Sequence, residues 1–118
     1  MARVSCDNDK YNHDPGGPWN TDYLLYANTD DLNADFQHGI ADPQNPVQPF
    51  PDGTKGPTQW NRGGHAGSVV FTGAGPGFVV NLVWTDIPAR MLVIAEQGIA
   101  PERTQAALYN WWQAEGVR

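Results

Sequence analysis

Asp7, Asp9, Asn12 and Asp14 fall within one eight-residue stretch, followed by Gly16 and Gly17. Calcium is held by several oxygen ligands on flexible backbone, so these four define a candidate cation loop. Their spacing departs from the EF-hand pattern, and a solvated acidic loop is the simpler reading. His13, His38, His65 and Cys6 are the other side chains able to hold a metal, but no two of them show the local spacing of a zinc motif. No cofactor is expected.

Nucleophilic catalysis needs a Ser, Cys or Thr beside a base. Gly64-His-Ala-Gly-Ser68 comes nearest, yet it lacks the G-x-S-x-G pattern and has no strand before it to form the elbow. In an extended segment His65 and Ser68, three residues apart, point to opposite faces. Gly73-x-Gly75-x-Gly77 follows a strand-like run, as a dinucleotide fingerprint does, but it leads into another strand and offers no helix N-terminus to a phosphate. The residues lean away from an enzyme, with a small hydrolase built around His65 and the acidic loop as the last alternative.

Two further patterns suit binding. Pro43, Pro46 and Pro49 share one face of a polyproline II helix and are followed by Phe50 and Pro51. Such a segment docks into an aromatic groove on a partner, or serves as a stiffened loop. Of five tryptophans, Trp84 and one of Trp111 and Trp112 belong to a core. Trp19 and Trp60 lie in turn-rich sequence, where they either anchor loops onto the sheet or form part of a sugar-binding or protein-binding face.

The elements that must carry these residues divide the chain in two. Residues 1–59 hold nine of the thirteen acidic residues against three basic ones, while residues 60–118 are neutral and contain nearly all the contiguous apolar sequence. With only seven Lys and Arg in total, no basic stripe exists to neutralise phosphates, which argues against nucleic acid and against anionic membrane surfaces. No apolar run approaches the length that spans a bilayer. With Cys6 the only cysteine, no internal disulfide is available. No apolar h-region follows Met1-Ala2-Arg3, so an intracellular protein, or a virion protein released by lysis, is expected.

One domain of 118 residues is expected, with an acidic loop-rich half at 1–67 and a β-meander plus helix at 68–116. Strands are predicted at residues 2–6, 22–28, 68–72, 78–85 and 90–96, with turns at 7–20, 73–77 and 86–89. Residues 28–35 read as an acidic loop or one weak helical turn, and 39–67 offers no convincing element. Pro101 suits a first helical position and Gly116 a C-terminal cap, with Ala107, Leu108, Trp111 and Trp112 as the apolar stripe between them. The fold class is therefore α+β: an antiparallel meander of five or six strands in a small sandwich or barrel-like sheet, one C-terminal helix, and a long Pro/Gly-rich loop.

The strands at 78–85 and 90–96 do not alternate apolar with polar residues, so both of their faces must be covered. The C-terminal helix covers one. The other calls for a second sheet, the long loop, or another copy of the chain. On this basis the leading expectation is a non-enzymatic structural or interaction protein that forms a homo-oligomer or docks into a larger assembly, such as a phage capsid decoration or tail protein. The alternative is a monomeric module for a small ligand or carbohydrate. Trp19, Trp60, Pro43, Pro46, Pro49 and Phe50 are the expected binding residues.

Overall fold

The computed structural model describes residues 2–7, 20–73, 79–98 and 105–116. The element order is β1 (Ala2–Asp7), β2 (Asn20–Leu25), α1 (Thr29–Ile40), β3 (Val47–Gln48), β4 (Thr58–Arg62), β5 (His65–Gly73), β6 (Val79–Asp86), β7 (Met91–Gly98) and α2 (Gln105–Trp111). A π-helical turn, Trp112–Gly116, continues α2.

All strands belong to one antiparallel sheet in the order β1-β2-β7-β6-β5, with β3 and β4 sharing the outer edge of β5. The nine residues of β5 are long enough for both: Thr58–Arg62 pairs with its first half, and Val47 and Gln48 pair with Thr72 and Phe71 near its end. The meander expected from residues 68 to 96 is β5-β6-β7, with Val69 opposite Trp84 and Leu82 opposite Ala95. The 73–77 turn lies largely outside the described residues, as does the start of the C-terminal helix at Pro101.

Both faces of the central strands are covered, as their unbroken apolar sequence requires. On one face Val69, Phe71, Leu82, Trp84 and Val93 meet Leu108 and Trp112 of the C-terminal helical segment. Ala107 and Trp111 of the predicted stripe are half-buried. On the other face Leu24, Val70 and Leu92 meet Leu32 and Phe36 of α1.

This second layer corrects two expectations. Among the described residues the strands form one sheet with helices against both faces, so the second cover is a helix and not a second sheet. Residues 28–35, read as an acidic loop or one weak helical turn, begin a twelve-residue helix. Asn28 caps it, its side-chain oxygen accepting from the Asp31 amide at 2.8 Å, and Asp30 and Asp31 place negative charge at the positive end of the dipole. Leu32, Phe36 and Ile40 recur every fourth residue and so form one inward stripe.

The 39–67 stretch, where no element was expected, holds the end of α1, β3, β4 and the start of β5. The proline-rich run is tied down by backbone bonds. Gly73 N donates to the Pro46 carbonyl at 3.0 Å, Pro49 bridges to Lys55, and Phe50 N donates to Thr54 O at 2.6 Å. Asp52 accepts from the Thr54 hydroxyl and amide inside that last turn, which holds its carboxyl below the usual range.

Candidate functional site

Where α1 crosses the sheet, the two do not close completely. They leave an open cleft with a cavity volume of about 190 Å³. Val70, Val83, Leu92 and Ile94 form its floor, and Phe36, Gly39 and Ile40 its helical wall. An apolar cavity on the order of 150 Å³ holds one benzene ring, so this space suits a ligand of about one ring. Gly39 keeps the wall low: a Cβ built there meets nothing within 4 Å.

Two polar side chains interrupt the floor. Thr72 and Asn81 are cross-strand partners on β5 and β6, and both line the cleft. Thr72 is only 5% exposed. Both side chains are hydrogen-bonding groups set among the apolar residues of the floor. Polar side chains in an apolar floor bond to the water or ligand that occupies the space above them.

The rim is acidic. Asp42 is held by its own turn, accepting from the Gln44 amide at 2.9 Å and the Asn45 side chain at 3.3 Å. Asp35, on the exposed side of α1, accepts the Tyr26 hydroxyl at 2.6 Å. No Lys, Arg or His is among the described residues lining the cleft.

Burial, followed by the hydrogen bond and the charge of Asp35, pushes the Tyr26 phenol well above its ordinary value. A group whose pKa is raised on folding stabilises the fold below its unfolded pKa and loses that contribution as pH rises through the folded one. Tyr26→Phe should therefore cost stability at about pH 8, and the gap from the parent protein should narrow above the ordinary tyrosine pKa of about 10. Urea unfolding of both proteins at each pH tests this. A gap that stays constant at high pH would remove the raised pKa.

At the far end of the sheet β5 and β6 bring together His65 and Asp86, with Nδ1 2.6 Å from Oδ2. Asp86 is 2% exposed, its Oδ1 has no partner among the described residues, and His65 is half-buried. An imidazole oriented by a carboxylate is the base half of a nucleophilic constellation. The nearest serine in the sequence is engaged elsewhere. Ser68 is three residues along the strand, with its hydroxyl accepting from Gln59 at 3.3 Å and its amide donating to Thr85 Oγ1 at 2.9 Å. Sequence reasoning considered His65 but had no signal for its distant partner Asp86.

The structure distributes the other expected site residues. Trp60 is 8% exposed. Its indole donates to the Thr85 carbonyl at 3.0 Å and packs edge-on to Trp112, so it is core and not an exposed stacking platform. Phe50 is 5% exposed and packs against Phe71 and Tyr109. Pro43 is exposed in a turn, while Pro46 and Pro49 flank the paired residues of β3. The Pro49 carbonyl accepts from Gln105, so the segment is an edge strand bound to its own domain and not a free docking peptide.

Trp19, Asp9, Asn12, Asp14 and His13 lie outside the described residues. Asp7 and Cys6 belong to β1, opposite Asn20 and Thr21. His38 is exposed in the last turn of α1. Among the described residues no three His, Cys, Asp or Glu side chains cluster to hold a metal. Nor is any helix there long and apolar enough to cross a membrane.

Sequence reasoning passed over Thr72, Asn81 and Asp35. The one available signal was Asn81, the single polar residue inside the apolar run at 78–84.

No family model, curated protein or solved structure matches this chain.

Proposed function

We propose that the protein is a non-enzymatic binding module whose small ligand enters the cleft between α1 and the sheet. The Thr72–Asn81 pair carries this reading: two polar side chains, cross-strand partners, set in an apolar floor and lining a cavity of ring size. Binding sites combine an apolar lining with a few convergent polar groups, and this cleft has both. Among the described residues the hydroxyl of Ser68 bonds Gln59 and not His65, which weighs against a hydrolase. A panel of single-ring fragments titrated into isotope-labelled protein tests the reading. The expected result is amide shifts centred on Gly39, Thr72, Asn81 and Val83, lost in Gly39→Leu, which fills the open side of the cleft. Shifts centred elsewhere, or binding unchanged in Gly39→Leu, would overturn it.

A second reading, a subunit docking into a larger assembly such as a phage virion, draws support from the sheet edges. Among the described residues β1 pairs only with β2 and β4 only with β5, so each has an outer backbone edge available to another strand. Its earlier support, an uncovered apolar face, is gone now that α1 covers that face. Leu25, 43% exposed, is the only large apolar side chain exposed among the described residues. Light scattering across a dilution series separates the readings: a persistent multimer favours assembly, and a monomer at all concentrations favours the cleft.

A further inference from the structure

We propose that the ligand of this cleft is a small organic cation: a protonated amine carried on an apolar body of about one ring. The inference rests on the binding reading above and names its chemical class.

Charge carries the choice. The lining carries two carboxylates, Asp35 and Asp42, beside Thr72 and Asn81, whose side chains both donate and accept. No described lining residue is basic, so nothing there balances an anionic ligand. An ammonium brings three donors and no acceptor, which complements that set. An anion would face two carboxylates with no basic side chain to balance it.

Location reinforces charge. Asp35 and Asp42 lie in the half of the chain that holds the whole net charge of −6. Asp30 and Asp31 stand at the start of the same helix. The Tyr26 hydroxyl donates to Asp35 at 2.6 Å and so fixes that carboxylate at the rim. Thr72 and Asn81 supply what a merely acidic surface lacks, acceptors within the apolar floor that hold a donor in a defined place. Val70, Val83, Leu92 and Ile94 exclude water around the hydrocarbon part, where an ion–dipole bond is worth more than in bulk water.

Three isosteric probes test the class: phenethylamine, 2-phenylethanol and 3-phenylpropionate, each titrated at neutral pH with the Gly39, Thr72 and Asn81 amides as readout. The amine should bind about tenfold more tightly than the alcohol, a step of about 1.4 kcal/mol, and the carboxylate more weakly than either. Asp35→Asn should erase most of the amine's advantage while leaving alcohol binding unchanged. Should Asp35→Asn disturb the fold through Tyr26, raising salt in the parent protein serves instead. Amine affinity should fall with ionic strength and alcohol affinity should not.

Alcohol or carboxylate binding in the cleft as tightly as the amine would overturn the cationic class and leave the cleft reading standing. If none of the three probes moves these amides, the cationic class falls. The binding reading falls with it only if the wider fragment panel is also silent at the cleft.

Discussion

Leu32→Ala should destabilise the protein by about 3 kcal/mol, although alanine is the better helix former. Leu32 is fully buried, and with Phe36 it joins α1 to Leu24, Val70 and Leu92 on the sheet. Truncation removes the buried methyl groups and leaves a void that the sheet, pinned on both sides by neighbouring strands, closes only in part. Helix propensity works in the opposite direction, so a loss of this size reports packing alone. At typical domain stabilities of about 5–15 kcal/mol it is a large fraction of the total. Asn33→Ala on the exposed side of the same helix should change little. Urea unfolding of both variants measures the difference. A cost for Leu32→Ala below about 1 kcal/mol would mean that α1 does not cover the sheet. The apolar second face of β6 and β7 would then again need another copy of the chain.

That helix marks the boundary of what could be read from residue types. The meander was legible because runs such as Val79–Trp84 and Met91–Ile94 are too apolar to be anything but central strands, and their connections are too short for a parallel crossover. The doubled apolar faces correctly demanded two covers. The second cover stayed hidden because α1 is written in Thr, Asp and Asn, whose intrinsic helix propensity is low. Tertiary packing decides there: one cap at Asn28 and three apolar residues at intervals of four suffice once a sheet face waits for them. β4 was missed for a related reason, since only Trp60 of its five residues is buried. The cleft is a gap between α1 and the sheet, so a reading without α1 could not place it. Asn81, a lone polar residue in an apolar strand, was the trace it left.

Gly67→Ala and Gly39→Ala add the same single carbon and should have opposite effects. A Cβ at Gly67 would overlap the Thr85 carbonyl oxygen and stand 2.5 Å from the Thr85 hydroxyl. Neither atom is free to retreat. The carbonyl accepts the Trp60 indole at 3.0 Å, and the hydroxyl accepts the Ser68 amide at 2.9 Å. Moving Thr85 therefore strains β6 and breaks one or both bonds, each worth about 1 kcal/mol, on top of an overpacking cost of about 1–3 kcal/mol. The expected total is about 3 kcal/mol, with a changed environment for Trp60 because its indole loses its acceptor. At Gly39 the added carbon meets open space inside a helix, so it should stabilise by about 0.5 kcal/mol through the lost entropy of the unfolded chain. Chemical unfolding followed by tryptophan fluorescence reads both effects in one experiment. A Gly67→Ala protein as stable as its parent would mean that β5 and β6 do not approach as closely as Thr85 and Gly67 require. A destabilised Gly39→Ala would mean that the space above Gly39 is filled, and the candidate site with it.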